Sequence, residues 1–223
     1  MTRSIVTVHY RGKRVPVSEY LETEHRECQT RSIQFQRLFV DLEVALSALL
    51  HSILNGGKSQ VPYAIYYSAT SIEARGRIVQ NALLELISEK REALARLGED
   101  DCWAYIFDKF RKVREMRNAL AHGHPQTLII RNKPYVRVVP PVFDVIQISR
   151  KIAKRQIPGL KSTDIAAGLT PIPRLIDCFD CINRIVADAH GAGIPWSDRV
   201  HELEVSLTAL RSLYPDGQKP PET

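Results

Sequence analysis

The stretch "KVREMRNALAHGHP", residues 112–125, decides how this chain is read. Its apolar residues Val113, Met116 and Leu120 recur at three- and four-residue spacing and continue Phe107 and Phe110 upstream, so the segment is one helix with a core face. Arg114, Asn118 and His122 lie four apart on the neighbouring stripe, with Arg117 beside Asn118 and Arg111 one turn earlier. Gly123 stops the pattern, at the position where a left-handed glycine commonly closes a helix. Two questions follow: what the apolar face packs against, and what the polar stripe is for.

The same periodicity extends in both directions. From Ser18, a good cap with Glu22 and Glu24 close behind, apolar residues up to Ile53 predict one long helix that "NGGKS" breaks after Leu54. A second helix is expected from Pro62 through to Gly98. Gly76 inside it costs about 1 kcal/mol relative to alanine and marks a place for close approach by another helix or a ligand. The helix of the opening stretch starts at Glu99, Asp100 and Asp101.

Downstream, "TLIIRNKPYVRVV" (127–139) reads as a hairpin turning at "RNKP" and closed by Pro140 and Pro141. It matches an N-terminal hairpin, "SIVTVHY" and "RVPV" joined by "RGK". Residues 142–156 read as a short helix-like segment and "STD" at 162–164 as a capped turn. Two more helices follow, one ended by Gly191 and one capped by Ser197. The fold class is therefore mostly α: an up-and-down helical bundle of about five helices with two small β-hairpin additions. The expected organisation is an N-terminal hairpin appendage (1–17), a bundle (18–213) with a hairpin insertion at about 127–139, and a disordered tail (214–223).

With 223 residues, 44% of them hydrophobic, the chain can bury a full core, and one domain is expected. It has no run of eighteen apolar residues and no apolar core behind a charged start, so a cytoplasmic protein without a membrane span is expected. Four cysteines are too few for a disulfide scaffold. Cys178 and Cys181 form a CxxC, but no second pair or His pair stands at ligand spacing, so they read as core residues and no metal is expected. The formal net charge is +6, and its distribution matters more than its size. Residues 101–155 carry twelve basic against four acidic side chains, while the other segments are nearly balanced or acidic. A basic face around one helix end is an electrostatic footprint for nucleic acid, although a solvated helix face gives the same count.

Cations in a last turn favour the helix dipole, typically by about 0.3–1 kcal/mol, so "RNALAHG" has a purely structural reading. That reading does not explain Asn118, a mediocre helix former placed one turn from an imidazole, where its amide is expected to orient His122. The set also has a reading as phosphodiester chemistry. Arg117 can hold a phosphate bidentately and stabilise the charge that develops on its oxygens, and His122 can exchange a proton near neutrality. No carboxylate cluster suited to Mg²⁺ stands nearby, so the chemistry would be metal-free and without a cofactor. Its natural nucleophile is the substrate's own 2′-hydroxyl, which restricts the substrate to RNA.

"RNALAH" matches R-N-x-x-x-H, and on these residues the chain resembles the HEPN domain family. The resemblance covers residues 18 to 124 and one or two C-terminal helices, with both hairpins outside it. It implies an all-α bundle, frequently a homodimer with its two motifs facing each other in a composite site. Many members resemble metal-independent endoribonucleases of toxin–antitoxin, phage-defence or RNA-processing systems. Carried over, Arg117 and His122 are the catalytic pair and Asn118 orients. The implied partners are RNA, a second copy and, in a toxin–antitoxin setting, a protein inhibitor. His124 stands where some toxin-type members carry Tyr.

Further RNA contacts are expected from Arg111, Arg114, Arg75, Arg77, His124, Arg131 and Lys133. Glu73 is expected either to pair with Arg77 on the helix surface or to support Arg117. The alternative to an enzyme is a noncatalytic HEPN-like module that binds RNA or assembles with a protein. Tyr63, Tyr66 and Tyr67 could stack bases but read as core and rim residues, and the other histidines read as structural.

Overall fold

The chain is mostly helical and carries two two-stranded antiparallel sheets, the fold class its hydrophobic periodicity predicts. The computed structural model describes residues 7–55, 57–90, 94, 102–139, 157–190 and 196–214. In chain order these form β1 (Thr7–Tyr10), β2 (Lys13–Pro16), α1 (Val17–Ile53), α2 (Val61–Ser68), α3 (Ile72–Glu89), α4 (Cys102–His122), β3 (His124–Ile130), β4 (Lys133–Val139), α5 (Ser162–Leu169), α6 (Pro171–His190) and α7 (Trp196–Ser212). The expected segment at 142–156, the tail after Tyr214, the acidic start of α4 and the closing glycines 98 and 191 lie outside the described residues. No described helix is long and apolar enough to cross a membrane.

Contacts divide the chain into two units, one from residues 1–37 and 115–169, the other from 38–114 and 170–223. Helices α1 and α4 each contribute to both.

In the second unit the core is aromatic. Phe110 of α4 stacks on Phe39 of α1 (6.3 Å between centroids) and meets Phe107 and Phe179 edge-on. Gly76 of α3 allows this cluster to close, because a Cβ there would come 2.8 Å from Phe110 Cε1. The interior glycine therefore serves helix packing. Cys178 and Cys181 lie on the buried face of α6 as free thiols. Among the described residues no cluster of His, Cys, Asp or Glu is placed to hold a metal. Three helix ends are tied together by polar groups: Lys90 Nζ donates to the Ala189 carbonyl at 2.9 Å, and His190 Nε2 lies 3.3 Å from the Ile53 carbonyl.

Among the described residues, the helix expected from Pro62 to Gly98 is interrupted between Ser68 and Ile72. Ala69 is extended, and Ser71 caps α3 by accepting a hydrogen bond from the Ala74 amide at 3.1 Å. In "SATS", two serines and a β-branched threonine offer the backbone alternatives to the helical bond, and the apolar periodicity hides that competition.

In the first unit both hairpins turn on two residues with positive φ, Arg11–Gly12 and Arg131–Asn132, the conformation that matches strand twist. The second hairpin is longer than expected. Pairing runs from Ile130↔Lys133 back to His124↔Val139, so only Gly123 separates α4 from β3.

The buried carboxylate of Glu24 on α1 joins distant segments: Tyr10 Oη of β1 donates to Oε1 at 2.6 Å and Ser162 Oγ of α5 to Oε2 at 3.0 Å. Within "STD", expected to cap a turn, Asp164 does so by accepting from the Lys161 amide at 3.1 Å, while the Ser162 hydroxyl is engaged by Glu24. Hydrogen bonds to a buried charge contribute about 1.5–3 kcal/mol each. Tyr10→Phe should therefore lower the unfolding free energy by about 2 kcal/mol, read from urea denaturation. A change under about 0.5 kcal/mol would mean the bond is not formed in solution.

Candidate functional site

The motif occupies the last two turns of α4. Leu120 is buried, Asn118 and His122 are exposed, and Arg117 is half-buried. The helix thus buries its apolar stripe and displays its polar one, as the spacing requires. His122 has no hydrogen-bond partner among the described residues, so its ring nitrogens face solvent. Asn118 is placed differently from expectation: its Oδ1 lies 3.5 Å from Arg117 Nη1, a marginal bond, rather than against His122. The amide thus meets the guanidinium and does not orient the imidazole.

Along α4 the upstream cations differ in what holds them. Arg111 donates to Asp108 at 2.6 Å, and Lys112 approaches the same carboxylate at 3.4 Å. Partial burial would raise the Asp108 pKa, but these two cations outweigh it and hold the carboxyl below its ordinary range. Arg114 is half-buried and forms no ion pair among the described residues.

On α3, Arg75 is committed to structure. It donates to Glu43 Oε1 at 2.8 Å and to the Ala69 carbonyl, and its guanidinium lies over the rings of Tyr66 and Tyr67. Glu73 and Arg77 form the exposed pair one turn apart, at 2.6 Å. An exposed pair of this kind contributes a few tenths of a kcal/mol.

Gly123 ends α4 without a positive φ, so it is not the left-handed cap its position implies. It is glycine for lack of space: a Cβ would come 2.6 Å from the Ala119 carbonyl oxygen and 2.7 Å from Val138 Cγ1. The close approach of β4 turns the chain sharply and places His124 two residues after His122, on the first pair of the β ladder. His124 Nε2 lies 2.9 Å from the side-chain amide of Gln126, which sequence reasoning passed over. The signal was there, since residues two apart in a strand share a face.

Arg137 pairs in register with Gln126 and is half-buried near the base of the hairpin. Arg131 and Lys133 are exposed at its tip. At about 3.3 Å per residue, the seven-residue strand puts them roughly 20 Å from His124. They therefore stand apart from the motif.

The helix–strand junction carries one guanidinium (Arg117), two side-chain amides (Asn118 and Gln126) and two exposed imidazoles (His122 and His124). Such a set can neutralise an oxyanion and move protons near neutrality. Comparison with known proteins returns no match: no family model, no curated protein and no solved structure matches this chain.

Proposed function

We propose that this protein is a HEPN-like, metal-independent endoribonuclease. The observation that carries the reading is the placement of a half-buried Arg117 and an exposed His122 in the last two turns of α4, with the His122 imidazole unoccupied by any described residue. His122 removes the proton of an RNA 2′-hydroxyl, the 2′-oxygen attacks the adjacent phosphorus, and Arg117 stabilises the charge gained by the phosphoryl oxygens. The products are a 2′,3′-cyclic phosphate and a 5′-hydroxyl. A second copy completing a composite site, and a toxin–antitoxin or phage-defence setting with a protein inhibitor, belong to the same proposal through the motif resemblance.

One observation favours the noncatalytic RNA-binding reading: nothing among the described residues orients His122. The two readings separate on incubation of purified protein with mixed RNA in EDTA, followed by analysis of product ends. Cyclic phosphate ends from wild type, reduced about 10³-fold or more in Arg117→Ala and His122→Ala, are expected. Absence of cleavage, with binding that weakens and becomes less salt-dependent in Arg111→Ala, Arg114→Ala and Arg117→Ala while His122→Ala binds normally, would overturn the enzyme in favour of the binding module.

A further inference from the structure

Cleavage by 2′-hydroxyl attack needs two proton transfers. A base takes the proton of the nucleophile, and an acid must give one to the departing 5′-oxygen, which is otherwise a poor leaving group. His122 accounts for one transfer, and neither Arg117 nor Asn118 is suited to the other, since a guanidinium does not release its proton and an amide has none to give near neutrality.

The residue two places on is different. His124 is exposed, its backbone is fixed by the pair with Val139, and its ring is held at Nε2 by the Gln126 side chain at 2.9 Å. From the geometry we infer that His124, held by Gln126, is the general acid that protonates the leaving 5′-oxygen, completing an acid–base pair of imidazoles with His122. This rests on the ribonuclease reading.

Three features support it. Cα atoms two residues apart lie within about 7 Å, so two imidazoles flanking Gly123 can bracket a single phosphodiester. Gly123 is wedged between the Ala119 carbonyl and Val138, which fixes that spacing. A glutamine amide serves both protonation states of the ring it holds: its NH₂ donates to Nε2 of the neutral imidazole, and its carbonyl accepts from Nε2–H of the imidazolium once the amide turns over. In either state Nδ1 is left to face the substrate. The step balances: the 2′-hydroxyl proton passes to His122, the 2′-oxygen–phosphorus bond forms, the phosphorus–5′-oxygen bond breaks, and the 5′-oxygen takes the proton of His124. Exchange with water then restores both rings.

The test uses an RNA oligonucleotide containing the linkage that wild type cuts most in mixed RNA, made with a normal 5′-oxygen and with a 5′-bridging sulfur. A thiolate leaves without protonation. His124→Gln should lose about 10²- to 10³-fold on the oxygen substrate and stay within a few-fold of wild type on the sulfur substrate. His122→Ala should be slow on both. Gln126→Ala, a positioning change, should lose about 10-fold on oxygen, and sulfur should restore it. Recovery on sulfur also shows that the variants are folded.

Equal rates for His124→Gln and wild type on oxygen would overturn the inference and leave the ribonuclease standing. So would an equal deficit on both substrates. If wild type cuts no RNA, the ribonuclease reading falls and this inference with it.

Discussion

Between pH 9 and pH 11 the protein should lose about 5 kcal/mol of folding stability, at least a third of the roughly 5–15 kcal/mol an ordinary domain has. Cys28 and Cys178 are fully buried, and burial, with smaller help from Glu24 for the first and Cys181 for the second, pushes their thiols from 9.0 up to about 11 and about 12. Above pH 9 the unfolded chain releases these protons while the native state keeps them. The unfolded state then binds fewer protons, so stability falls as pH rises, by up to about 1.4 kcal/mol per pH unit per group. Each contribution is whole below pH 9 and is gone once the folded thiol ionises. Tyr66 adds to the loss above pH 10, since burial and the charge of Glu43 raise its pKa. Urea midpoints by circular dichroism at pH 7.5, 9, 10 and 11, with reductant present, measure the slope, and a flat profile would refute it.

Tyr66→Phe is the informative control. The Tyr66 hydroxyl is buried without a hydrogen-bond partner among the described residues. Removing it should cost nothing at pH 7.5, and by relieving an unsatisfied group it should stabilise slightly. It should also make the decline above pH 10 shallower.

Local signals carried much of the fold. α4 was legible because Phe107, Phe110, Val113 and Leu120 repeat at helical spacing and all are buried. Both hairpins were legible from β-branched runs around turn residues. What the sequence hid was competition and distance. Ser71 looks like one more helical residue until its hydroxyl is seen capping α3. Arg75 looks like a free surface cation, but its partner Glu43 is 32 positions away and no local pattern reveals it. Arg131 and Lys133 are close to the motif in the chain and far along the strand, which the two-residue turn and its register decide. Gln126 is neutral and gives no charge signal in the sequence, yet in the structure its side-chain amide lies 2.9 Å from His124 Nε2.

Gly123→Ala should destabilise the protein by about 2–3 kcal/mol and, if the protein is the ribonuclease we propose, slow RNA cleavage by about 10²-fold. A Cβ at this position would meet the Ala119 carbonyl oxygen at 2.6 Å, and that oxygen is backbone within α4 and has no rotamer to move into. Val138 on the other side is buried in β4 and hydrogen-bonded through its backbone to Leu160 in both directions, so it cannot yield easily either. The clash is relieved only by parting the end of α4 from the start of β3, which opens the pair between His124 and Val139 and moves one imidazole relative to the other. Displacements of about 1 Å at a reacting group cost rate factors of this size. Asparagine separates steric crowding from capping. A left-handed cap accepts asparagine with little loss, whereas a site without room for a Cβ rejects it at least as strongly as alanine. If Gly123→Asn folds and cuts like wild type, glycine is there for its backbone and the junction is not the rigid spacer between His122 and His124. Losses in both variants, larger for cleavage than the fraction unfolded explains, would mean that the crowding that ends the helix also sets the distance across which two protons move.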